Sequence, residues 1–155
     1  MLRLPHEQTH VTVAAIVTTD VKDQPELLAE YVAECSVPAL GQPEPQWEMY
    51  QRMQAAGLVQ MFGVYVDGGM VGFASVLVSV MPHYGFIAAT VESLFVAQAH
   101  RSSGAGARLM KTIERHARDR ECRAVFYGAP AGGKMEGLLE KRYARASSMY
   151  YKPLG

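Results

Sequence analysis

The sequence predicts one α/β domain built on a mixed, mostly antiparallel sheet with helices on both faces. Strand-like and helix-like segments alternate along the chain, as this fold class requires. The length of 155 residues suits a single domain, which we expect to span residues 1–155. Hydrophobic residues make up 49% of the chain and charged residues 19%, a composition typical of globular proteins.

Charge and cysteine usage argue against several classes of function. The 15 basic and 15 acidic side chains balance, whereas nucleic-acid-binding proteins usually carry a basic excess, so we expect no nucleic-acid partner. Cys35 and Cys122 lack the spacing of a zinc site, so we expect no metal and reduced thiols in a cytoplasmic protein. Apolar runs of the length of a membrane span are absent, so we expect no membrane association.

The first third of the chain predicts one strand and two helices. Residues 11–19 are rich in β-branched side chains, which favour a strand. Pro25 stands between Asp23 and Glu26, as at the start of a helix. An apolar helix face follows, made of Leu27, Leu28, Tyr31, Val32 and Cys35. A second helix carries Trp47, Tyr50 and Met53, and is expected to end at Gly57.

The middle of the chain predicts three strands. Residues 58–66 and 71–81 are strand-like, and Asp67-Gly68-Gly69 between them favours a hairpin, because such turns need positive φ. Residues 86–96 form the third strand, which is apolar on both faces except for Thr90, Glu92 and Ser93. This pattern favours a central position in the sheet.

The last third predicts two helices, each followed by a strand. The first helix opens near Gly104, and its buried stripe consists of Leu109, Met110, Ile113 and Ala117. A short strand is expected over residues 124–127, a last helix over 137–145 and a last strand over 148–152.

The most informative segment is the loop Arg101-Ser102-Ser103-Gly104-Ala105-Gly106, which joins a strand to a helix. Its glycines let the backbone approach a ligand closely. The free N–H groups and the dipole of the helix start make an anion site suited to a pyrophosphate. The alternative is a plain turn, with glycines chosen for tight geometry. The motifs of P-loop and dinucleotide-binding proteins are both absent.

This loop matches the R/Q-x-x-G-x-G/A signature of the GNAT acetyltransferases, and the chain resembles the phage and bacterial members of that superfamily. Residues 92–96 resemble its fourth strand, 109–117 its third helix and 138–154 its closing segment. The resemblance implies acetyl-CoA as the donor, a primary amine of unspecified identity as the acceptor, and no metal. Dimers are common in the superfamily, so a homodimer is one expected assembly.

The resemblance also implies where the coenzyme binds. The pantetheine arm pairs with the backbone of Leu94, Phe95 and Val96. The pyrophosphate and its surroundings involve Arg101, Ser102, Ser103, Gly104, Ala105, Gly106, Ala107 and Arg108.

Glu92 is the candidate general base. A free alkylamine, with a pKa of about 10.4, is mostly protonated at neutral pH and must lose a proton before it attacks a thioester. Glu92 is the only acidic residue in its strand, and we expect it on the face shared with Thr90 and Leu94, near the thioester. We expect burial to tune it for this role. The alternative is a structural Glu paired with a buried Arg or with backbone N–H groups.

The proton donor for the leaving thiolate is less defined. GNAT enzymes often place a Tyr in the last helix at a position that is Leu139 here. Tyr143 lies one helical turn further on and is the candidate acid, with ordinary packing as the alternative. Trp47 and Tyr50 belong to the region that shapes the acceptor side in this family, although a core role is the simpler interpretation.

The leading functional hypothesis is an N-acetyltransferase in which the amine attacks acetyl-CoA directly within a ternary complex. The main alternative is a coenzyme-A-binding sensor or interaction module that performs no transfer. A weaker alternative is a structural protein that reuses the fold and binds no coenzyme.

Overall fold

The computed structural model describes residues 9–155, which form one mixed sheet of five strands in the order β1-β2-β3-β4-β5. The strands are β1 (Val11–Ile16), β2 (Val59–Val66), β3 (Gly69–Met81), β4 (Phe86–Val96) and β5 (Ala124–Tyr127). Neighbours pair antiparallel from β1 to β4, whereas β5 pairs parallel to β4. The predicted fold class is therefore confirmed.

Five α-helices surround this sheet. They are α1 (Thr18–Lys22), α2 (Pro25–Cys35), α3 (Trp47–Ala55), α4 (Ala105–Asp119) and α5 (Lys134–Arg142). A single 3₁₀ turn, Gln98–His100, lies between β4 and α4. The sequence did not predict α1 or this turn.

The sheet separates two hydrophobic clusters. On one face Leu109, Ile113 and Ala117 of α4 pack against the sheet, as the predicted stripe requires. On the other face Val21 of α1 and Leu27 of α2 pack against strand residues, and the partly buried residues of α3 complete this layer. We call the two sides the α4 face and the α1–α3 face. Burial of apolar surface on both sides positions β4 in the middle of the domain.

The hairpin between β2 and β3 forms as predicted. Asp67 has φ of 50° and Gly68 has φ of 87°, so both central residues occupy the left-handed region that a type I′ turn needs.

A β-bulge interrupts the pairing of β3 with β4. Ser75 pairs with Ser93, and the next residue of β3, Val76, pairs with Val91. Glu92 is therefore the extra residue of β4, without a partner in β3. A bulge bends the strand locally and re-aims a side chain.

The first strand and the last helix have bounds other than those predicted, and the last predicted strand is absent. The first strand ends at Ile16, because buried Thr18 begins α1 and bonds to Gln54 of α3. The last helix covers Lys134–Arg142 instead of 137–145. Residues 148–152 form no strand, and Tyr150 is 88% exposed. Strand propensity alone does not form a strand, because residues 148–152 pair with neither edge strand of the sheet, β1 or β5, and stay exposed.

Candidate active site

The connection from β4 to α4 is shaped by Gly104. Its φ of 85° lies in the left-handed region, which favours glycine, and it forms the N-cap of α4. Ser103 closes the turn on its other side, because its hydroxyl donates to the carbonyl of His100 at 2.5 Å and accepts the amide of Ala105 at 3.2 Å. These contacts fix the loop, and Gly104 and Ala107 at the start of α4 are exposed to solvent.

The loop presents a set of backbone N–H groups. The amides of Arg101 and Ser103 donate to carbonyls of the preceding 3₁₀ turn. Among residues 9–155, no acceptor bonds to the four remaining amides of the loop and first turn, which belong to Ser102, Gly104, Gly106 and Ala107. Four free donors at the positive end of a helix are the arrangement that helix starts use where they bind anions.

The side chain of Arg101 is held away from these amides. Its Nε donates to the carbonyl of Val96 at 2.9 Å, and its guanidinium forms an ion pair with Glu34 of α2. Glu30, one turn earlier on α2, accepts the amide of Gln98 at 2.8 Å. Two carboxylates of α2 thus hold the β4–α4 connection in place. Arg101, the Arg of the signature, therefore makes a structural contact with α2.

The strands β4 and β5 separate beyond Val91. Their pairing covers only Ala88–Val91 of β4 against Ala124–Tyr127 of β5. Leu94, Phe95 and Val96 pair with β3 alone, so in the described part of the chain the other edge of β4 has no strand beside it. An unpaired edge offers N–H and C=O groups to an extended ligand.

A groove begins at the loop and runs along α4 toward the C-terminal segment. Its lining includes Gly104, Ala107 and the basic residues Arg108, Lys111 and Arg142. Cations beside the free amides extend the positive field of the helix start. The lining also includes Glu114, and Arg108 donates to the carbonyl of Val11, so the groove has a moderate basic excess that favours a phosphate-bearing ligand.

Glu92 lies at the centre of a hydrogen-bond network. The hydroxyl of Tyr50 is 2.8 Å from its Oε1 and 2.7 Å from its Oε2. Ser75, a fully buried residue of β3, also donates to Oε2. The Oγ atoms of Ser75 and Ser93 lie 2.7 Å apart. Because the single proton of Ser75 goes to Glu92, Ser93 is the donor in that pair, and the donors run from Ser93 through Ser75 to the carboxylate.

The structure corrects two expectations about Glu92. It is an exposed residue, so the predicted burial is wrong. It also does not share a face with Leu94, because Leu94 packs on the α4 face whereas the partners of Glu92 belong to the α1–α3 face. The bulge is the cause, since one extra residue breaks the alternation of side chains along the strand.

Tyr143 lies apart from this network. It follows the last residue of α5 with extended backbone, and its hydroxyl donates to Glu114 of α4 at 3.3 Å. Its ring packs on Tyr127 with centroids 5.5 Å apart. Partial burial, with the Glu114 carboxylate beside it, raises the pKa of Tyr143. These contacts place Tyr143 on the α4 face, across the sheet from the partners of Glu92.

Sequence reasoning missed Ser75 and assigned Tyr50 to the core. Tyr50 was visible as a polar tip on an apolar helix stripe, but its partner is 42 residues away in the chain. Ser75 is one of two serines in a strand whose other residues are apolar. Neither signal specifies Glu92 as the partner without the tertiary structure.

In residues 9–155, no helix is long and apolar enough to cross a membrane. That same part of the chain contains no cluster of three or more His, Cys, Asp or Glu side chains that could hold a metal ion.

Solved structures with a similar fold are acetyltransferases. A ribosomal-protein-alanine N-acetyltransferase from Brucella melitensis biovar Abortus 2308 is 24% identical, with 94% of this chain and 100% of that chain covered and a TM-score of 0.73. The aminoglycoside N-acetyltransferase AAC(6')-Iy in complex with CoA is 14% identical, with 96% and 97% covered and a TM-score of 0.74. An aminoglycoside acetyltransferase from an uncultured soil metagenomic sample is 17% identical, with 94% and 99% covered and a TM-score of 0.73.

At these identities the likeness establishes the fold. No curated protein sequence matches this chain. The model of the acetyltransferase (GNAT) family matches residues 25–133, which include α2, α3, β4, the glycine loop and α4. The chain therefore belongs to the GNAT acetyltransferase family.

Proposed function

We propose that this protein is an N-acetyltransferase that moves an acetyl group from acetyl-CoA to a primary amine within a ternary complex. The observation that carries the proposal is that one strand, β4, connects a loop of free amides with a hydrogen-bonded carboxylate. The end of β4 leads into a loop with four free amides, and its bulge presents a hydrogen-bonded carboxylate. One ligand that spans both sites would bring a thioester near a base.

The described residues fit coenzyme A. The pyrophosphate would bind the amides of Ser102, Gly104, Gly106 and Ala107, and further phosphate would meet the basic groove. A Cβ built on Gly104 meets nothing within 4 Å, so the space before the loop is open. The pantetheine arm would lie along Leu94, Phe95 and Val96, where β4 has no strand on its other edge.

Acetyl-CoA supplies an activated acetyl group, to which the amine nitrogen forms a bond as the carbon–sulfur bond breaks. Glu92 would accept the amine proton on Oε1. A carboxylate offers about four lone-pair sites. Oε2 receives bonds from Ser75 and Tyr50, whereas Oε1 receives one contact, from Tyr50. Oε1 therefore retains acceptor capacity for the amine.

Tyr143 remains the candidate proton donor for the thiolate. Tyr143 lines the groove proposed for the coenzyme, and its hydroxyl is protonated at neutral pH, although its raised pKa makes it a weaker acid than a free tyrosine. Coenzyme A thiolate is a tolerable leaving group, so this role adds little to the rate.

Calorimetric titration with acetyl-CoA tests the coenzyme site. Ala107 is exposed and has one of the free amides, so Ala107→Glu adds an anion to the site without removing a core contact. We expect micromolar binding by the wild type, loss of binding in Ala107→Glu, and near-normal binding in the neutral control Ala107→Gln. Absence of binding by the wild type would overturn the proposal.

Turnover separates the enzyme from a coenzyme-binding module. Acetyl transfer is measured with a panel of amines. The panel includes aminoglycosides and a peptide with an N-terminal alanine, because similar structures carry those activities in their names. We expect acetylation of at least one amine, and Glu92→Gln to lower kcat by about 10²- to 10⁴-fold with coenzyme affinity retained. Coenzyme binding with no turnover of any amine would instead support the sensor or interaction module.

A further inference from the structure

Tyr50 is the one side chain of the helical layer that bonds to Glu92 among residues 9–155. It projects from α3, is half-buried, and lies with its ring centroid 6.4 Å from that of Trp47. Burial, together with the hydrogen bond to Glu92, raises the pKa of the Tyr50 hydroxyl well above its usual range. Tyr50 therefore keeps its proton at neutral pH and acts toward Glu92 as a donor.

Glu92 needs external support to hold one geometry. It is exposed and sits at a bulge, and a free Glu side chain samples several rotamers. Ser75 holds only Oε2, so it leaves rotation about the last bond open. The Tyr50 hydroxyl lies 2.8 Å from Oε1 and 2.7 Å from Oε2 and shares its single proton between them, so it restrains the rotation that Ser75 leaves open.

We propose that Tyr50 is a positioning residue, which holds the Glu92 carboxylate from α3 so that Oε1 faces the incoming amine. The inference rests on the proposed role of Glu92 as the general base. It assigns part of the geometry of the base to the helical layer, whereas the family signature lies in the loop before α4 and in its first turn.

The position of Tyr50 also links the base to the packing of the helices on the α1–α3 face. Tyr50 and Ser93 both line a small cavity between the helices and the sheet, whose other walls include Tyr31, Trp47 and Phe73. The two ends of the hydrogen-bond network thus meet the same apolar space. The cavity is about 20 Å³, room for about one water molecule, so the link between α3 and the carboxylate runs through the Tyr50 hydroxyl itself.

A double-mutant cycle tests whether Tyr50 acts through Glu92. Tyr50→Phe is measured in the wild type and in the Glu92→Gln background, with the most active amine of the panel. We expect kcat to fall roughly 10- to 100-fold in the wild type, the size of a hydrogen bond to a charged group. The KM for acetyl-CoA should stay within about twofold, since Tyr50 does not contact the loop. In the Glu92→Gln background we expect no further loss.

Tyr65→Phe is the matched control. Tyr65 lies on β2, packs on the same α1–α3 face, and among residues 9–155 its hydroxyl bonds to no other group. We expect kcat within about twofold of the wild type. Thermal unfolding of each variant reports on folding, and Tyr50→Leu replaces Tyr50→Phe in the same cycle if the latter does not fold.

Two results would overturn the inference while acetyl transfer stands. One is an equal loss in both backgrounds, which would mean that Tyr50 acts independently of Glu92. The other is full activity of Tyr50→Phe in the wild type. A fully active Glu92→Gln enzyme would remove the base role, and the inference with it. A wild type that acetylates no amine would instead overturn the proposed function, so the failures are distinguishable.

Discussion

Gln54 accepts two hydrogen bonds from Thr18, one from the backbone amide at 3.1 Å and one from the hydroxyl at 2.6 Å. Thr18 is 1% exposed. The amide nitrogen of Gln54 also donates to the carbonyl of Ile16 at 3.1 Å. One side chain of α3 therefore joins the end of β1 to the start of α1. Because no residue of α3 is fully buried, this polar contact has a large share in holding the helix that carries Tyr50.

We expect Gln54→Met to destabilise the fold. The substitution keeps the size of the side chain but leaves the buried Thr18 hydroxyl and amide without their acceptor, which costs about 1–3 kcal/mol. Urea unfolding measures the change. Gln51→Met on the exposed side of α3 is the control and should stay within about 0.5 kcal/mol of the wild type. Equal stability of the two variants would contradict the role assigned to Gln54.

The two loop glycines should respond differently to alanine. Gly104 has φ of 85°, so Gly104→Ala should cost about 1–2 kcal/mol of unfolding free energy. Gly106 lies within α4, and a Cβ there meets its nearest atom, Cγ2 of Val96, at 4.0 Å. Gly106→Ala should therefore be neutral or stabilise by up to about 1 kcal/mol. The prediction fails if denaturant unfolding ranks the two variants in the opposite order.

Arg101→Gln should change coenzyme binding little. Its guanidinium contacts Glu34 and the carbonyl of Val96, and both members of the ion pair are substantially exposed. We expect a stability loss below about 1 kcal/mol and an acetyl-CoA affinity within roughly threefold of the wild type. Glu34→Gln, which breaks the same pair from α2, is the control. A loss of affinity in Arg101→Gln that Glu34→Gln does not share would show that the guanidinium reaches the coenzyme.

Tyr143→Phe should retain most of the activity. Its hydroxyl bonds to Glu114, and its ring contact with Tyr127 survives the substitution. Steady-state kinetics should give a fall in kcat of less than about tenfold, against the larger loss expected for Glu92→Gln. A loss as large as that of Glu92→Gln would establish Tyr143 as an essential acid.

His116 should make the fold less stable in mild acid. Its Nε2 is buried without a partner in residues 9–155, and its ring packs on Phe62. Burial, with Arg120 nearby, lowers its pKa below the ordinary value of 6.5. The unfolded chain then binds the proton more readily than the fold, so the stabilising contribution present above pH 6.5 is lost as pH falls through the folded pKa. Denaturation between pH 5 and 8 should show a smaller pH dependence in His116→Gln.

Most of the fold is predictable because its signals are local. The β2–β3 hairpin follows from Asp67-Gly68, and α4 follows from the spacing of its buried stripe. The strand predicted over residues 148–152 is wrong because β-propensity forms a strand only where the segment also pairs and buries one face, and these residues are exposed. The end of β1 is wrong for a similar reason, since the contact between Thr18 and Gln54 joins distant parts of the chain.

The candidate site also has one part that follows from local sequence and one part that depends on long-range contacts. The glycine loop is a contiguous motif, so its helix-start geometry follows from the sequence. The surroundings of Glu92 depend on how β3 pairs with β4 and on where α3 packs, and neither is encoded in residues 91–93 alone. Strict alternation therefore placed Leu94 on the wrong face.

Glu92 occupies a position that the sheet does not require. Removal of this one residue would make Val91 and Ser93 consecutive, and they already face the consecutive residues Val76 and Ser75. The ladder on either side would close without any change of register, and both hydrophobic clusters would keep their members. The carboxylate thus behaves as a one-residue insertion whose loss would leave the strand pairing intact and remove only the hydrogen bonds that Ser75 and Tyr50 donate to it. Its neighbours in the core have no such freedom, so chemistry at this site can diverge while the scaffold stays constant.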